Sequence, residues 1–100
     1  AIDLWKKAAN QGDAKAQFNL GRMYINGRGI SQSDELGIYW ITKAAEQEYS
    51  DAQAQLGAYL YEGNRVEKNI KKGLYYLNRS IENGNEIAKI YKERNDLWGL

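Results

Sequence analysis

Residues 16–21 read AQFNLG, and residues 52–57, which lie 36 positions further on, read AQAQLG. The same offset places Lys7-Ala8-Ala9 on Lys43-Ala44-Ala45 and Gly27 on Gly63. Self-similarity at one fixed period of roughly 20 to 50 residues is typical of repeat architectures. Because one offset holds from end to end, the sequence predicts an uninterrupted array of 36-residue units.

Each unit is predicted to contain two helices. In the first helix of a unit, Ala16, Leu20 and Tyr24 are four residues apart and therefore share one helical face. The second helix begins after Ser33 in one unit and after Asn69 in the next, since both side chains suit an N-cap. With half a unit at each end, the chain is predicted to be all-α, with about six antiparallel helices.

The repeat frame makes residues 1–100 a single solenoid domain in four parts. A half-repeat helix covers residues 1–12, the first repeat covers 13–48, and the second covers 49–84. The terminal half-repeat, or capping helix, covers residues 85–100. These bounds follow directly from the offset of 36.

The capping helix is predicted to run from about Asn85 to Trp98. Lys92-Glu93 replaces the leucine-glycine pair of the earlier units, which indicates a helix with no close neighbour on that face. We expect an apolar stripe on the same helix to close the array. Its members are Ile87, Ile90, Tyr91, Leu97 and Trp98.

Glycine recurs inside the predicted helices. The four positions are Gly21, Gly37, Gly57 and Gly73. Glycine costs about 1 kcal/mol relative to alanine in a helix interior, so a packing reason is expected. Because glycine has no Cβ, we expect the two helices of each unit to approach closely at these positions. Gly27 and Gly63 have a different role, since they are predicted to end the first helices.

Composition excludes several classes of function. The chain has 14 basic and 13 acidic residues with no run of one sign, which argues against nucleic-acid binding. No apolar run approaches the roughly 18 residues of a membrane span, so we expect no membrane insertion. The absence of histidine and cysteine removes the common general base, the thiol nucleophiles and the usual zinc ligands. We therefore expect no enzyme activity, no cofactor and no metal.

The residues quoted above resemble the Sel1-like repeat, a bacterial and eukaryotic relative of the tetratricopeptide repeat. The matching residues of the first unit are Ala16-Gln17, Leu20-Gly21, Gly27-Arg28-Gly29-Ile30, Trp40 and Lys43-Ala44-Ala45. The second unit departs from the pattern at Arg65, which replaces a glycine, and in its second helix at Tyr76, Arg79, Ser80 and Ile81. The resemblance implies a right-handed α-α superhelix whose first helices line a concave groove. It also implies an adaptor or scaffold role in which the chain binds a peptide or another protein.

The concave face is predicted from helical geometry and from analogy with related solenoids. Aromatic and arginine side chains amid small residues are typical of protein-binding surfaces. The predicted partner-binding residues are Lys15, Phe18, Arg22, Asn26, Asp51, Ala54, Ala58, Tyr61, Glu62, Ile90 and Arg94. Alternatives stay open, because Phe18 and Tyr61 also suit core packing between repeats, and Arg22 and Arg94 also suit a solvated surface.

Other functions compete with the scaffold. One alternative is an inhibitor or immunity protein that blocks an enzyme or a toxin, and a further one is an enzyme-activating subunit. Single-stranded RNA binding by helical repeats would need a basic groove, which the near-neutral charge opposes. The partner's identity, the oligomeric state and the compartment, bacterial cytoplasm or periplasm, stay open at the level of sequence.

Overall fold

A computed structural model describes residues 2–95 as six helices, and this range contains no strand. The helices are α1 Ile2–Asn10, α2 Ala14–Asn26, α3 Asp34–Glu46, α4 Ser50–Glu62, α5 Ile70–Glu82 and α6 Glu86–Arg94. The array is elongated and measures 43 × 24 × 17 Å. The predicted all-α solenoid is confirmed, with α2, α4 and α6 as the first helices of their units and α1, α3 and α5 as the second helices.

Side-chain caps and glycines fix where the helices begin and end. The predicted N-caps are confirmed, since Ser33 Oγ accepts from the N–H of Leu36 at 3.1 Å and Asn69 Oδ1 accepts from that of Lys72 at 3.0 Å. Gly27 and Gly63 end α2 and α4 with φ of 67° and 70°, in the left-handed region where a Cβ is disfavoured. Turn chemistry therefore places each helix boundary locally.

The two helices of each unit cross at paired glycines, as predicted. A Cβ built on Gly21 would lie 2.8 Å from the carbonyl oxygen of Gly37 and 2.6 Å from Cγ1 of Ile41. In the next unit a Cβ on Gly57 would lie 2.9 Å from the carbonyl oxygen of Gly73. Because these distances leave no room for a methyl group, glycine sets the close approach of α2 to α3 and of α4 to α5.

Buried amide side chains join one unit to the next. Gln17 Nε2 donates to the carbonyl oxygen of Ala9, and Gln53 Nε2 donates to that of Ala45, both at 3.2 Å. Gln47 and Asn83 then donate to the side-chain oxygens of those two glutamines at 2.9 Å. The same polar contact therefore occurs twice, at the α1–α2 and α3–α4 steps of the array.

The core runs along the array as three connected groups of apolar side chains. The largest group joins α2, α3, α4 and α5, and its most deeply buried members include Ile41, Ala44 and Ala52. Leu20 anchors the group between α1 and α2, and Leu77 anchors the group between α4, α5 and α6. Each helix pair therefore depends on its neighbours for burial, as expected of a solenoid.

The terminal helix differs from its prediction in length and packing. It ends at Arg94, with Asn95 as its C-cap, and the predicted stripe members Leu97 and Trp98 lie outside the described residues. Ile87 and Ile90 do not close the array, since they are 69% and 47% exposed. Ala88 takes that place at 0% exposure, because it faces Leu77 and Ala54.

Lys92 was expected on a face with no close neighbour, and this prediction is wrong. The residue is 3% exposed, and its Nζ donates to Asn78 Oδ1 on α5 at 2.6 Å. It occupies the register of Leu20 and Leu56, so its aliphatic stem fills the place of a leucine while the amide oxygen of Asn78 accepts from the ammonium group.

Candidate functional site

A groove with a volume of about 400 Å³ crosses α2, α4 and α6, the first helices of the three successive units. We call it the central groove. Its lining residues are Phe18, Arg22, Asp51, Ala54, Gln55, Ala58, Asn85, Ile87, Ala88 and Tyr91. Five of the predicted partner-binding residues meet here, so the central groove is the candidate site. They are Phe18, Arg22, Asp51, Ala54 and Ala58.

Small side chains on α4 form the floor of the central groove. Ala54 is buried and Ala58 is half-buried, and both face the opening. By the offset of 36, Ala54 corresponds to Phe18 and Ala58 corresponds to Arg22 on α2. The groove therefore exists because the middle unit has alanine where the preceding unit has large side chains.

The α2 wall combines an aromatic ring with a guanidinium group. Phe18 is 7% exposed, and its ring centroid lies 5.5 Å from that of Tyr49. The Arg22 guanidinium carbon lies 5.6 Å from the Phe18 centroid, in the range of a cation–π contact. Within the described part of the chain, Arg22 forms no ion pair with a carboxylate. Its charge therefore faces the groove with an aromatic support and no anionic partner.

Asn85 holds the opposite wall in place. Its Nδ2 donates to Asp51 Oδ1 at 2.8 Å, and its own Oδ1 accepts from the N–H of Ala88 at 3.0 Å as the N-cap of α6. One amide thus ties the start of α6 to the start of α4. Ile87, in the first turn of α6, then projects into the opening with 69% of its surface exposed.

Tyr91 closes one side of the groove through contacts with α4. Its hydroxyl donates to Glu62 Oε2 at 2.5 Å, and its ring meets that of Tyr61 edge-on at a centroid distance of 6.3 Å. Burial, and after it the hydrogen bond to the Glu62 carboxylate, raises the pKa of Tyr91 above its ordinary value of 10.0. The phenol therefore stays neutral and donates at physiological pH.

The predicted site residues divide into four sets in the structure. Phe18, Arg22, Asp51, Ala54 and Ala58 line the central groove. Arg22 also lines a second groove of about 360 Å³, where it meets the predicted Asn26 together with Trp5, Asn19, Met23 and Arg28. Tyr61 and Glu62 contact Tyr91 and support the wall. Lys15, Ile90 and Arg94 are exposed and line neither groove.

Sequence reasoning missed five side chains that complete the central groove. They are Gln55, Asn85, Ile87, Ala88 and Tyr91, the last of which was predicted only for the closing stripe. Ile87 carried a usable signal, since the offset of 36 aligns it with Lys15 and Asp51, which were both assigned to the groove. Asn85 carried one as well, because an N-cap at the start of α6 lies beside the start of α4 in any stacked array of these helices.

The side chains at the opening of the central groove are suited to noncovalent recognition of a partner. Among residues 2–95 no group of three or more acidic side chains is placed to hold a metal ion. The polar groups at the opening are a guanidinium, a carboxylate and amides, which recognise charge and hydrogen-bonding groups on a partner. In the same range, no helix has the length and apolar character needed to cross a membrane.

Comparison with known proteins identifies the repeat. The family model described as Sel1 repeat matches residues 1–13, 14–49 and 50–85. A crystal structure of a Sel1 repeat protein from Oxalobacter formigenes is 32% identical, with a TM-score of 0.88 over 93% of this chain and 70% of that one.

A second solved structure is similar over the same region. It is c5321, described as a protective antigen present in uropathogenic Escherichia coli strains that displays an SLR fold. It is also 32% identical with a TM-score of 0.88, and the match covers 96% of this chain and 21% of that one. None of the curated proteins matches the chain.

Proposed function

The chain belongs to the Sel1 repeat family, and from this membership we propose that it is a protein-interaction module that binds a peptide or a protein partner in the central groove. Sel1 repeats generally mediate protein–protein interaction, and the family is generally non-enzymatic. A scaffold or adaptor role follows, in which the array presents one surface to its partner.

The observation that carries this proposal is the pair of uncovered groups on the two walls of the central groove. Arg22 lacks an ion pair among the described residues, and Ile87 is 69% exposed although it lies in a concave site. Arginine and large apolar side chains in concave sites are favoured at protein interfaces. Covering both would remove apolar surface from water and would neutralise an unpaired charge.

Filling the floor of the groove tests the proposal. Ala58→Phe places a large side chain where a partner would sit, and Lys71→Phe places the same side chain on the exposed surface of α5 as a matched control. Affinity purification from the source cell with each variant, followed by mass spectrometry, should lose the partner with Ala58→Phe and keep it with Lys71→Phe.

Folding is monitored in parallel by circular dichroism and thermal melting. If Ala58→Phe unfolds the chain, Ile87→Ser replaces it, because an isoleucine that is 69% exposed contributes little to the core. A partner that both groove variants retain at the wild-type level would contradict the proposal and would direct the search to the opposite face.

A further inference from the structure

We propose that the central groove accepts an extended peptide segment with an acidic side chain at the Arg22 wall and a bulky apolar side chain at the Ile87 wall. This inference rests on the function proposed above and adds the chemistry of the partner. It follows from three features of the groove: where its charges lie, where its apolar surface is uncovered, and how much space lies between the walls.

Arg22 determines the acidic end of the segment. Its guanidinium is exposed, rests on the Phe18 ring at 5.6 Å and has no carboxylate partner within residues 2–95. A planar guanidinium held against an aromatic ring loses little freedom when it binds, and it pairs with a carboxylate through two parallel hydrogen bonds. An aspartate or glutamate of the partner supplies this carboxylate.

Asp51 disfavours the partner's acidic side chain at the Ile87 end of the central groove. It lies at the start of α4, seven residues before Ala58, which is about 10 Å along the helix axis. One of its oxygens accepts from Asn85, and its negative charge repels a second carboxylate at that end. The two charges of the groove therefore orient the segment in one direction.

Ile87 determines the apolar end. Its side chain is 69% exposed in the groove, beside the buried methyl groups of Ala54 and Ala88 and the ring of Tyr91. A leucine, phenylalanine or tryptophan of the partner would cover Ile87 and the exposed part of Tyr91. Binding is favoured here by the apolar area removed from water. This area depends on the size of the partner's side chain and little on its exact identity.

The distance between the walls suits a short extended segment. An extended chain spans it with fewer residues than a helix, which rises only about 1.5 Å per residue. Arg22 and Ile87 lie on α2 and α6, two helix spacings of about 8–10 Å apart, or roughly 20 Å with their offset along the helices. At about 3.3 Å per residue, roughly four to six residues separate the acidic and apolar side chains.

Selection from a phage-displayed random-peptide library on the 100-residue chain tests the inference. We expect the enriched peptides to share an acidic residue and a bulky apolar residue, and we expect competition among them for one site. The tightest peptide is then synthesised with a fluorophore, and its Kd is measured by fluorescence anisotropy against the wild-type chain and its variants.

Two variants report on the two walls, each with a matched control. Arg22→Glu should weaken binding by about 10-fold or more, and replacing the acidic residue of the peptide by lysine should restore much of it. Ile87→Ser should weaken binding about 5-fold or more through lost apolar burial. The controls Lys71→Glu and Leu4→Ser make the same changes at exposed positions outside the central groove, and Kd should change by less than about 2-fold.

The outcomes separate this inference from the proposed function. Suppose first that Ala58→Phe abolishes binding of the selected peptides. If those peptides lack an acidic residue, or bind Arg22→Glu as tightly as wild type, the inference is overturned and the groove is still a binding site. Peptides that bind Ala58→Phe and wild type equally would overturn both. Failure of the wild-type chain to select any peptide would overturn the inference and leave a folded protein as the partner of the groove.

Discussion

Glycine at the crossing of two helices is the residue on which the geometry of each unit depends. The backbones of α2 and α3 approach so closely that the carbonyl oxygen of Gly37 occupies space needed by a Cβ on Gly21. Glycine in the interior of a helix is unfavourable by about 1 kcal/mol relative to alanine. At these positions the loss is offset by the packing that the close approach permits, as in the core contact of Ile41.

We therefore expect Gly21→Ala to lower the free energy of unfolding by about 2 kcal/mol, because overpacking outweighs the gain in helix propensity. Gly29→Ala is the control, since nothing lies within 4 Å of its Cβ and only the positive φ of 69° opposes the change. It should cost about 1 kcal/mol. Urea unfolding followed by circular dichroism measures both, and a Gly21→Ala variant more stable than wild type would contradict the close-approach account.

Within residues 2–95, two residues other than glycine adopt a positive φ, and both lie at positions where another unit has glycine. Glu48 has φ of 65° and corresponds to Gly12 and Gly84, while Arg65 has φ of 66° and corresponds to Gly29. Each bonds to a neighbouring element: Glu48 accepts from Asn83, and Arg65 pairs with Asp34 at 3.2 Å. These contacts offset backbone strain at turns whose shape the repeat fixes.

At the scale of elements, buried amides join the second helix of one unit to the first helix of the next. Gln53 on α4 is 1% exposed, donates to the end of α3 at Ala45 and accepts from Asn83 after α5. Within residues 2–95, no buried side-chain nitrogen or oxygen lacks a hydrogen-bond partner. Since an unmet buried polar group is costly, these amides favour one register between neighbouring helices.

Replacing this amide by a thioether of similar length tests the connection. Gln53→Met removes both hydrogen bonds and should lower the free energy of unfolding by about 2 kcal/mol, at about 1 kcal/mol for each bond. Gln55→Met, on the same helix and half-buried, should change it by less than about 0.5 kcal/mol. A double-mutant cycle of Gln53→Met with Asn83→Ala should give a coupling energy of about 1 kcal/mol. A coupling energy near zero would argue against the hydrogen bond between these two side chains.

For the whole molecule, the titrating groups predict how stability varies with pH. Burial raises the pKa of Tyr49, Tyr76 and Tyr91, which lie in three different parts of the array. In the unfolded chain these phenols titrate near pH 10. Because their pKa is raised in the folded state, their contribution to the free energy of unfolding is complete below about pH 10. It is lost as the pH rises further, since only the unfolded chain then releases the phenol protons.

Glu48 gives the opposite dependence in acid. The hydrogen bond from Asn83, followed by the interactions with Gln53 and Arg79, lowers the pKa of the Glu48 carboxyl below its ordinary value of 4.5. Its contribution is present above that value and is lost as the pH falls through the folded-state pKa. The chain has no histidine or cysteine, so we expect the free energy of unfolding to be nearly constant from about pH 6 to 9.

Urea unfolding measured from pH 8 to 11 checks the alkaline arm. We expect wild-type stability to fall above about pH 10, and Tyr91→Phe should reduce the slope of this fall because it removes one buried phenol. Tyr75→Phe, at a position that is 58% exposed, should leave the slope unchanged. Equal slopes for Tyr91→Phe and wild type would mean that Tyr91 is not the group whose proton release is suppressed by folding.

The repeat, the six helices, the turns and the glycine crossings could be predicted from the sequence alone. The helices, turns and crossings depend on residues that lie within one unit of 36 residues. Ser33 caps α3 through a neighbour three residues away, and Gly27 ends α2 through its own φ. Local backbone preferences and helical periodicity are properties of the chain, so they can be predicted without knowing how distant units stack.

Which surface side chains share the central groove depends on the tertiary structure. Phe18, Asp51 and Ile87 come from three units, and their meeting depends on how far each helix rotates relative to the one before. The structure also shows that Lys92 is buried and that Ile87 is exposed, the reverse of what their polarity suggests. The register of the repeat points to both environments, since Lys92 aligns with the buried Leu20 and Ile87 aligns with the exposed Asp51. Which group accepts from the Lys92 ammonium, here Asn78 on α5, depends on tertiary contacts and on no periodic feature of the sequence.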